Sequence, residues 1–87
     1  MDFDRIRELV ATDEKELFDG CFNEKTIRFD LSYRREKRDY YIEVFNRYID
    51  DHRTISNSLQ TQDPALVEKS KKCQKEASRL LDIVYSY

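Results

Sequence analysis

Two side chains in this sequence combine reactive chemistry with a spacing that could bring them together. His52 is the sole histidine, and Cys73 is one of two cysteines. A cysteine beside a histidine can form a thiolate–imidazolium couple, a strong nucleophile near neutral pH. Two copies of the chain could bring together two histidines and two cysteines, a donor set suited to tetrahedral zinc. The sequence offers neither arrangement further support. It has no glycine-rich oxyanion loop and no evident third group to orient the histidine, and Cys21 and Cys73 are not spaced as a zinc ribbon. Cysteine is also among the commonest buried residues, where it packs as a small hydrophobe. The expectation is a non-enzymatic protein with no catalytic residue, metal site or cofactor.

Arginines and aromatic rings form a second constellation. Arg34, Arg35, Lys37 and Arg38 lead into Tyr40 and Tyr41, and Lys71 and Lys72 form another basic cluster between Lys69 and Lys75. Basic groups interleaved with rings occur in proteins that bind nucleic acids, where cations track phosphates and rings stack on bases. The charge is not gathered into one basic face, however. Residues 1–24 carry a net −5, residues 25–38 carry +4, residues 39–63 carry −3 and residues 64–87 carry +2. Such alternation suits pairing within or between proteins. The leading expectation is a small regulator, inhibitor or adaptor that binds another protein. Its aromatic anchors would come from Phe22, Phe29, Tyr33, Tyr40 and Tyr41, and nucleic-acid binding is the alternative.

The elements that position these groups are legible in a mirror pattern. Reading backwards from a loop near residue 62 gives Leu59, Ile55, His52, Tyr48, Phe45 and Tyr41; reading forwards gives Leu66, Ser70, Cys73, Ala77, Leu80 and Val84. Steps of three and four mark one face of a helix. Each pair has residue numbers that sum to 125, as expected for two antiparallel helices joined by a short turn. His52 then faces Cys73, and Tyr48 faces Ala77. Arg38 faces Tyr87, where its cation could lie over the ring. Asp63-Pro64 supplies a capping oxygen followed by proline at the first helical position, where its missing N–H costs nothing. The hairpin helices are therefore expected over residues 32–60 and 64–86.

Two motifs on this hairpin invite comparison with known families. The stretch from His52 to Leu59 resembles the motif of histidine phosphotransfer domains, which are helical bundles with an exposed histidine. It departs from that motif after the histidine, where the family carries a basic residue and a glycine. Asp63-Pro64 and Ser70 sit in places similar to those of small sporulation-type aspartyl-phosphate phosphatases. The Ser-Gln-x-Leu-Asp signature of that family is replaced here by Ser70-Lys71-Lys72-Cys73-Gln74, without its closing acid.

The N-terminal third is expected to be one or two helices over residues 2–19: Phe3, Ile6, Val10 and Leu17 fit a single continuous stripe, but a break near Thr12 is the preferred reading. Thr12 could cap a new helix whose first turn carries Asp13, Glu14 and Glu16. Gly20, the only glycine, suits a left-handed C-terminal cap. Residues 21–31 read as an extended connector. Ile27, Phe29 and Leu31 alternate with polar residues as in a strand, although a lone strand would have no partner.

The whole is an all-α expectation: one helical domain over residues 1–87, forming a bundle that a second copy could complete. Equal hydrophobic and charged fractions of 39%, with one glycine and one proline, favour helices over sheets. A chain of 87 residues buries only about 60% of its unfolded surface, while large residues flank both stripes, so dimerisation would add needed cover. There is no signal-like segment or membrane span, and the few cysteines point to reduced thiols and a cytoplasmic location.

Overall fold

The computed structural model describes residues 3–20, 22–59 and 61–87. Four α-helices account for its regular structure: α1 (Phe3–Phe18), α2 (Glu24–Tyr33), α3 (Lys37–Ser58) and α4 (Pro64–Tyr85). The protein is all-α, and α3 and α4 form the long antiparallel hairpin. Every member of the mirrored stripes is buried, with Phe45, Leu59, His52, Ser70, Cys73, Ala77, Leu80 and Val84 sealed completely. Small residues at the buried positions Ser70, Cys73 and Ala77 let the two helices approach closely, as interlocking layers require, and His52 meets Ser70 where the mirror pattern set it opposite Cys73.

The turn between these helices is built by local chemistry. Leu59 N–H donates to Ile55 O, and Gln62 and Asp63 N–H groups both return to Leu59 O. Asp63 Oδ1 accepts from Leu66 N–H at 3.1 Å, and Pro64 opens α4. The other Asp63 oxygen pairs with Arg7 at 3.7 Å, so the cap also holds the start of α1.

The N-terminal region departs from expectation in three places. Helix α1 is continuous through Thr12, because its buried stripe is Val10, Asp13 and Leu17. A buried aspartate interrupted the apolar pattern without interrupting the helix. Residues 24–33 form α2 instead of a connector or strand, with Asn23 Oδ1 accepting from Thr26 N–H at 2.8 Å. Ile27, Asp30 and Leu31 face inward while Phe29 points out, a period of three and four that the alternating apolar residues concealed. Finally, α3 begins at Lys37, not Ser32: Tyr33 closes α2, and a short turn follows at residues 34–36. Gly20 does take the positive φ, 110°, expected just beyond a helix end. Asp2, Cys21 and Gln60 lie outside the described residues.

Helices α1 and α2 run in one direction along the hairpin. Arg7 meets Asp63 and Phe18 meets Lys72, so α1 is parallel to α4. Glu24 meets Arg79 and Arg28 meets Tyr87, which continues the same direction. Pairings of Asp13 with His52, Glu16 with Tyr48 and Asp30 with Tyr41 make both helices antiparallel to α3. The architecture is an up-down-up bundle whose first member is broken between Asp19 and Asn23. Phe22 bridges the break: its N–H donates to Glu16 O, and its ring meets Tyr41, Phe45 and Tyr48 edge-on.

Two apolar clusters make up the core. One gathers Leu17, Ile27, Leu31, Tyr41, Phe45, Tyr48 and the C-terminal half of α4; the other gathers Val10, Ile55, Leu59, Leu66 and Val67 beside the hairpin turn. Flanking residues Ile42, Val44, Ile49 and Ile83 pack against the first cluster. Covering by α1 and α2 thus uses much of the apolar surplus that the hairpin alone would leave exposed.

Candidate functional site

Between the two apolar clusters lies a buried polar layer. His52 is fully enclosed, and its Nε2 bonds Asp13 Oδ2 at 2.8 Å; Ser70 Oγ stands 3.4 Å from the other ring nitrogen. Three helices therefore supply a carboxyl, an imidazole and a hydroxyl in line. A carboxyl–imidazole–hydroxyl sequence resembles the order of a hydrolytic triad, but Ser70 is fully buried and no substrate can reach it. The geometry serves a different end: each buried polar group gains a partner, avoiding the cost of an unmet hydrogen bond. Ser56 Oγ, also buried on α3, has no hydrogen-bond partner among the described residues.

Cys73 does not join this layer. It belongs to the larger apolar cluster, and burial pushes its thiol up to about 11 from an ordinary 9.0. An enclosed, largely protonated thiol is a weaker nucleophile at neutral pH than a free one. Among the described residues, no three His, Cys, Asp or Glu side chains are grouped to hold a metal ion. The enclosed His52 likewise lacks the exposure on which the phosphotransfer resemblance depends.

The larger cluster has its own polar fastenings. Tyr41 donates its hydroxyl hydrogen to Asp30, and Tyr48 donates to Glu16. Burial raises both phenols above the ordinary tyrosine range, and the adjoining carboxyl groups raise them further. Lys37 lies 3.7 Å from Asp30, and Arg47 lies over the Tyr48 ring at 5.4 Å. These groups border a cleft of about 520 Å³ at the α1–α2 break. Sequence inspection missed Asp13, Glu16 and Asp30 as fastening residues. For Asp13 and Asp30, the available signal was an acid occupying a three-or-four step within an apolar stripe.

Five aromatic residues were expected as partner anchors, and they divide between interior and surface. Tyr41 is enclosed and hydrogen-bonded, and Phe22 is half-buried among three rings, so both hold the fold together. Phe29 and Tyr33 are 58% and 76% exposed, with ring centroids 4.9 Å apart; Tyr40 is also exposed. Of the five, Phe29, Tyr33 and Tyr40 are the ones on the surface.

The basic residues divide as well. Arg34, Arg35, Lys37 and Arg38 cluster where α2 turns into α3. Their positive charge opposes the start of α3, but the C-terminal ends of α2 and α4 approach the same corner with the opposite dipole. Arg38 lies over Tyr85 at 5.9 Å, not over Tyr87; Arg28 takes Tyr87 at the same distance. Lys72 is drawn away to the Phe18 ring at 5.0 Å, while Lys71 borders a shallow groove with Lys75 and Arg79. Arg35 and Arg38 border one cavity, and Lys71 borders a different one.

Fold and surface together define a broken up-down-up helical bundle with a sealed polar layer and a corner rich in arginine and aromatic residues. No family model, curated protein or solved structure matches the chain. Among the described residues, no helix is long and apolar enough to cross a membrane.

Proposed function

We propose that this chain is a non-enzymatic interaction module of the cytoplasm, acting as a regulator, inhibitor or adaptor through the corner where α2 meets α3. The carrying observation is the exposed Phe29–Tyr33 ring pair beside Arg28, Arg34 and Arg35. Exposed aromatic rings provide large contact areas with few rotatable bonds, and arginine adds directional polar contacts. A helix presenting Phe29 and Tyr33 four residues apart matches the recurring use of one helix face in protein recognition. The sealed His52 and Cys73 favour such a role over catalysis at those positions.

The test compares proteins captured by the intact chain with those captured by a Phe29→Ala/Tyr33→Ala double variant. A specific partner should lose at least about tenfold in affinity, while circular dichroism should retain the helical signal. A partner set unchanged by the double variant would overturn this docking face. Single-stranded DNA and RNA provide the competing test: binding that falls steeply with salt and depends on Arg34 and Arg35 would favour the nucleic-acid reading.

A further inference from the structure

Arg35 and Arg38 border a cavity of about 460 Å³ with Ser32, Leu31 and Tyr87. Leu31 is buried, whereas Ser32, Arg35 and Tyr87 are exposed and Arg38 is half-buried. The arginines are notable in their charge environment. This chain has 18 acidic residues against 16 Lys and Arg, and Arg7, Arg28, Arg53 and Arg79 each pair with a carboxylate. By contrast, Arg34, Arg35, Arg38 and Arg47 have no ion pair among the described residues; of these four, Arg35 and Arg38 border this cavity together. Two forked cations and a serine hydroxyl thus border the same cavity without an internal counter-ion.

We propose that this cavity binds a phosphate monoester carried on a side chain of the protein partner. This assignment rests on the protein-docking reading above and gives its partner a specific chemistry. A phosphate monoester presents three terminal oxygens and close to two negative charges near neutral pH. Guanidinium forks match phosphate oxygens with directional, charge-assisted hydrogen bonds. Ser32 adds a hydroxyl donor, while Tyr87 provides an aromatic wall for the group bearing the phosphate. One carboxylate offers two oxygens and one negative charge, leaving more of this donor set unused. A nucleic-acid phosphodiester likewise carries a single charge, making a monoester the better match to two arginines without a carboxylate partner, of which Arg38 also lies over the Tyr85 ring.

Phenyl phosphate is the direct probe, with dimethyl phosphate and a single-stranded oligonucleotide as comparisons. Titration of the full chain should show stronger binding to phenyl phosphate than to either comparison, strengthening as pH rises through about 6 and the dianion forms. Arg35→Gln and Arg38→Gln should each weaken phenyl phosphate binding by about tenfold. Arg38→Lys should recover only part of the loss, because it restores charge without the fork. Far-ultraviolet circular dichroism separates loss of the site from loss of the fold, and Arg35→Gln provides an exposed-site variant.

Phosphatase treatment of the partner supplies the cellular arm. Loss of capture supports a phosphorylated protein as the source of the monoester. Capture that persists after treatment and still depends on Phe29 and Tyr33 overturns the phosphate assignment while retaining the docking reading. Phenyl phosphate binding without any capture through Phe29 and Tyr33 overturns that docking reading and the protein source. Equal or tighter oligonucleotide binding, no response of phenyl phosphate binding to either glutamine substitution, or no phenyl phosphate binding at low salt also overturns the proposal.

Discussion

Beside the hairpin turn, the core is built from Val10, Ile55, Leu59, Leu66 and Val67; beyond the His52 layer, it is built around Phe22, Tyr41, Phe45 and Tyr48. Aliphatic groups gain stability by leaving water and packing closely, without a strongly directional contact. The aromatic half has additional constraints because its two buried phenols require polar partners. Tyr48 finds Glu16 on α1, and Tyr41 finds Asp30 on α2. A shift of one helical turn would keep many apolar contacts but leave these groups unmatched. The comparison teaches that burial can hold α1 and α2 against the hairpin, while the acid–phenol contacts select their register.

The largest disturbance of this comparison should come from Phe45→Ala. Phe45 is fully buried in the aromatic half, and its truncation should cost about 3–5 kcal/mol of stability. Chemical denaturation measures the loss. Hydrogen exchange checks its distribution, with greater loss of protection around Tyr41 and Tyr48 than around Leu59 and Leu66 expected. Equal loss everywhere would show that the two halves unfold as one unit.

The boundary between the halves should be nearly as sensitive. Asp13→Ala removes the carboxyl bonded to His52 and should cost about 1–3 kcal/mol. Replacing both Asp13 and His52 by leucine should cost less than the sum of the single replacements, because neither polar partner is then left behind. Denaturation of the double-mutant cycle checks that coupling. Additive losses would separate the energetic contributions of the two side chains despite their 2.8 Å contact.

Alkaline pH provides a smaller perturbation directed at the aromatic half. The thiol of Cys73 is raised to about 11 from 9.0, and burial also raises the phenols of Tyr41 and Tyr48. Above an ordinary dissociation range, the unfolded chain loses a proton that the folded chain retains. The unfolded state therefore binds fewer protons, and stability declines with rising pH. For Cys73, the contribution is present below about 9 and is lost through about 11. Thermal melts across that interval should show a decreasing midpoint, and Cys73→Ala should reduce the slope. An unchanged slope would remove the Cys73 contribution.

The least severe test acts on the aliphatic end. Asp63→Ala removes both the α4 cap and the carboxylate paired with Arg7, and should cost about 1 kcal/mol. A midpoint decrease of about 4–8 °C corresponds to that loss in a domain of this size. Hydrogen exchange should register the first effect at Leu66 and Val67, leaving the Phe22 ring cluster protected.

Legibility in the sequence follows the number of possible partners. The α3–α4 hairpin was readable because two long stripes each mark one helix face, and Asp63-Pro64 locates their turn; the residue pairing was less so, since His52 meets Ser70 where the mirror pattern set it opposite Cys73. By contrast, Ile27 and Leu31 fit a helix as well as an alternating strand, and Phe29 gave the latter an apparent third member. Asn23, which caps Thr26, was the local clue to α2. The break after Tyr33 has neither glycine nor proline to announce it. It reflects the requirement that α2 follow one side of the hairpin before α3 returns along another. The surface role of Phe29 and interior role of Tyr41 depend on that tertiary choice, which residue type alone could not decide.

The end-to-end placement of α1 and α2 also has a consequence for synthesis. Both helices precede the hairpin that covers them, and Val10 precedes its cluster partner Leu66 by 56 positions. At about 5–20 residues per second, that separation is a wait of roughly 3–11 s. During that interval Val10, Leu17, Ile27 and Leu31 have yet to receive their complete native cover. The order of translation therefore makes the earliest helices dependent on the last one.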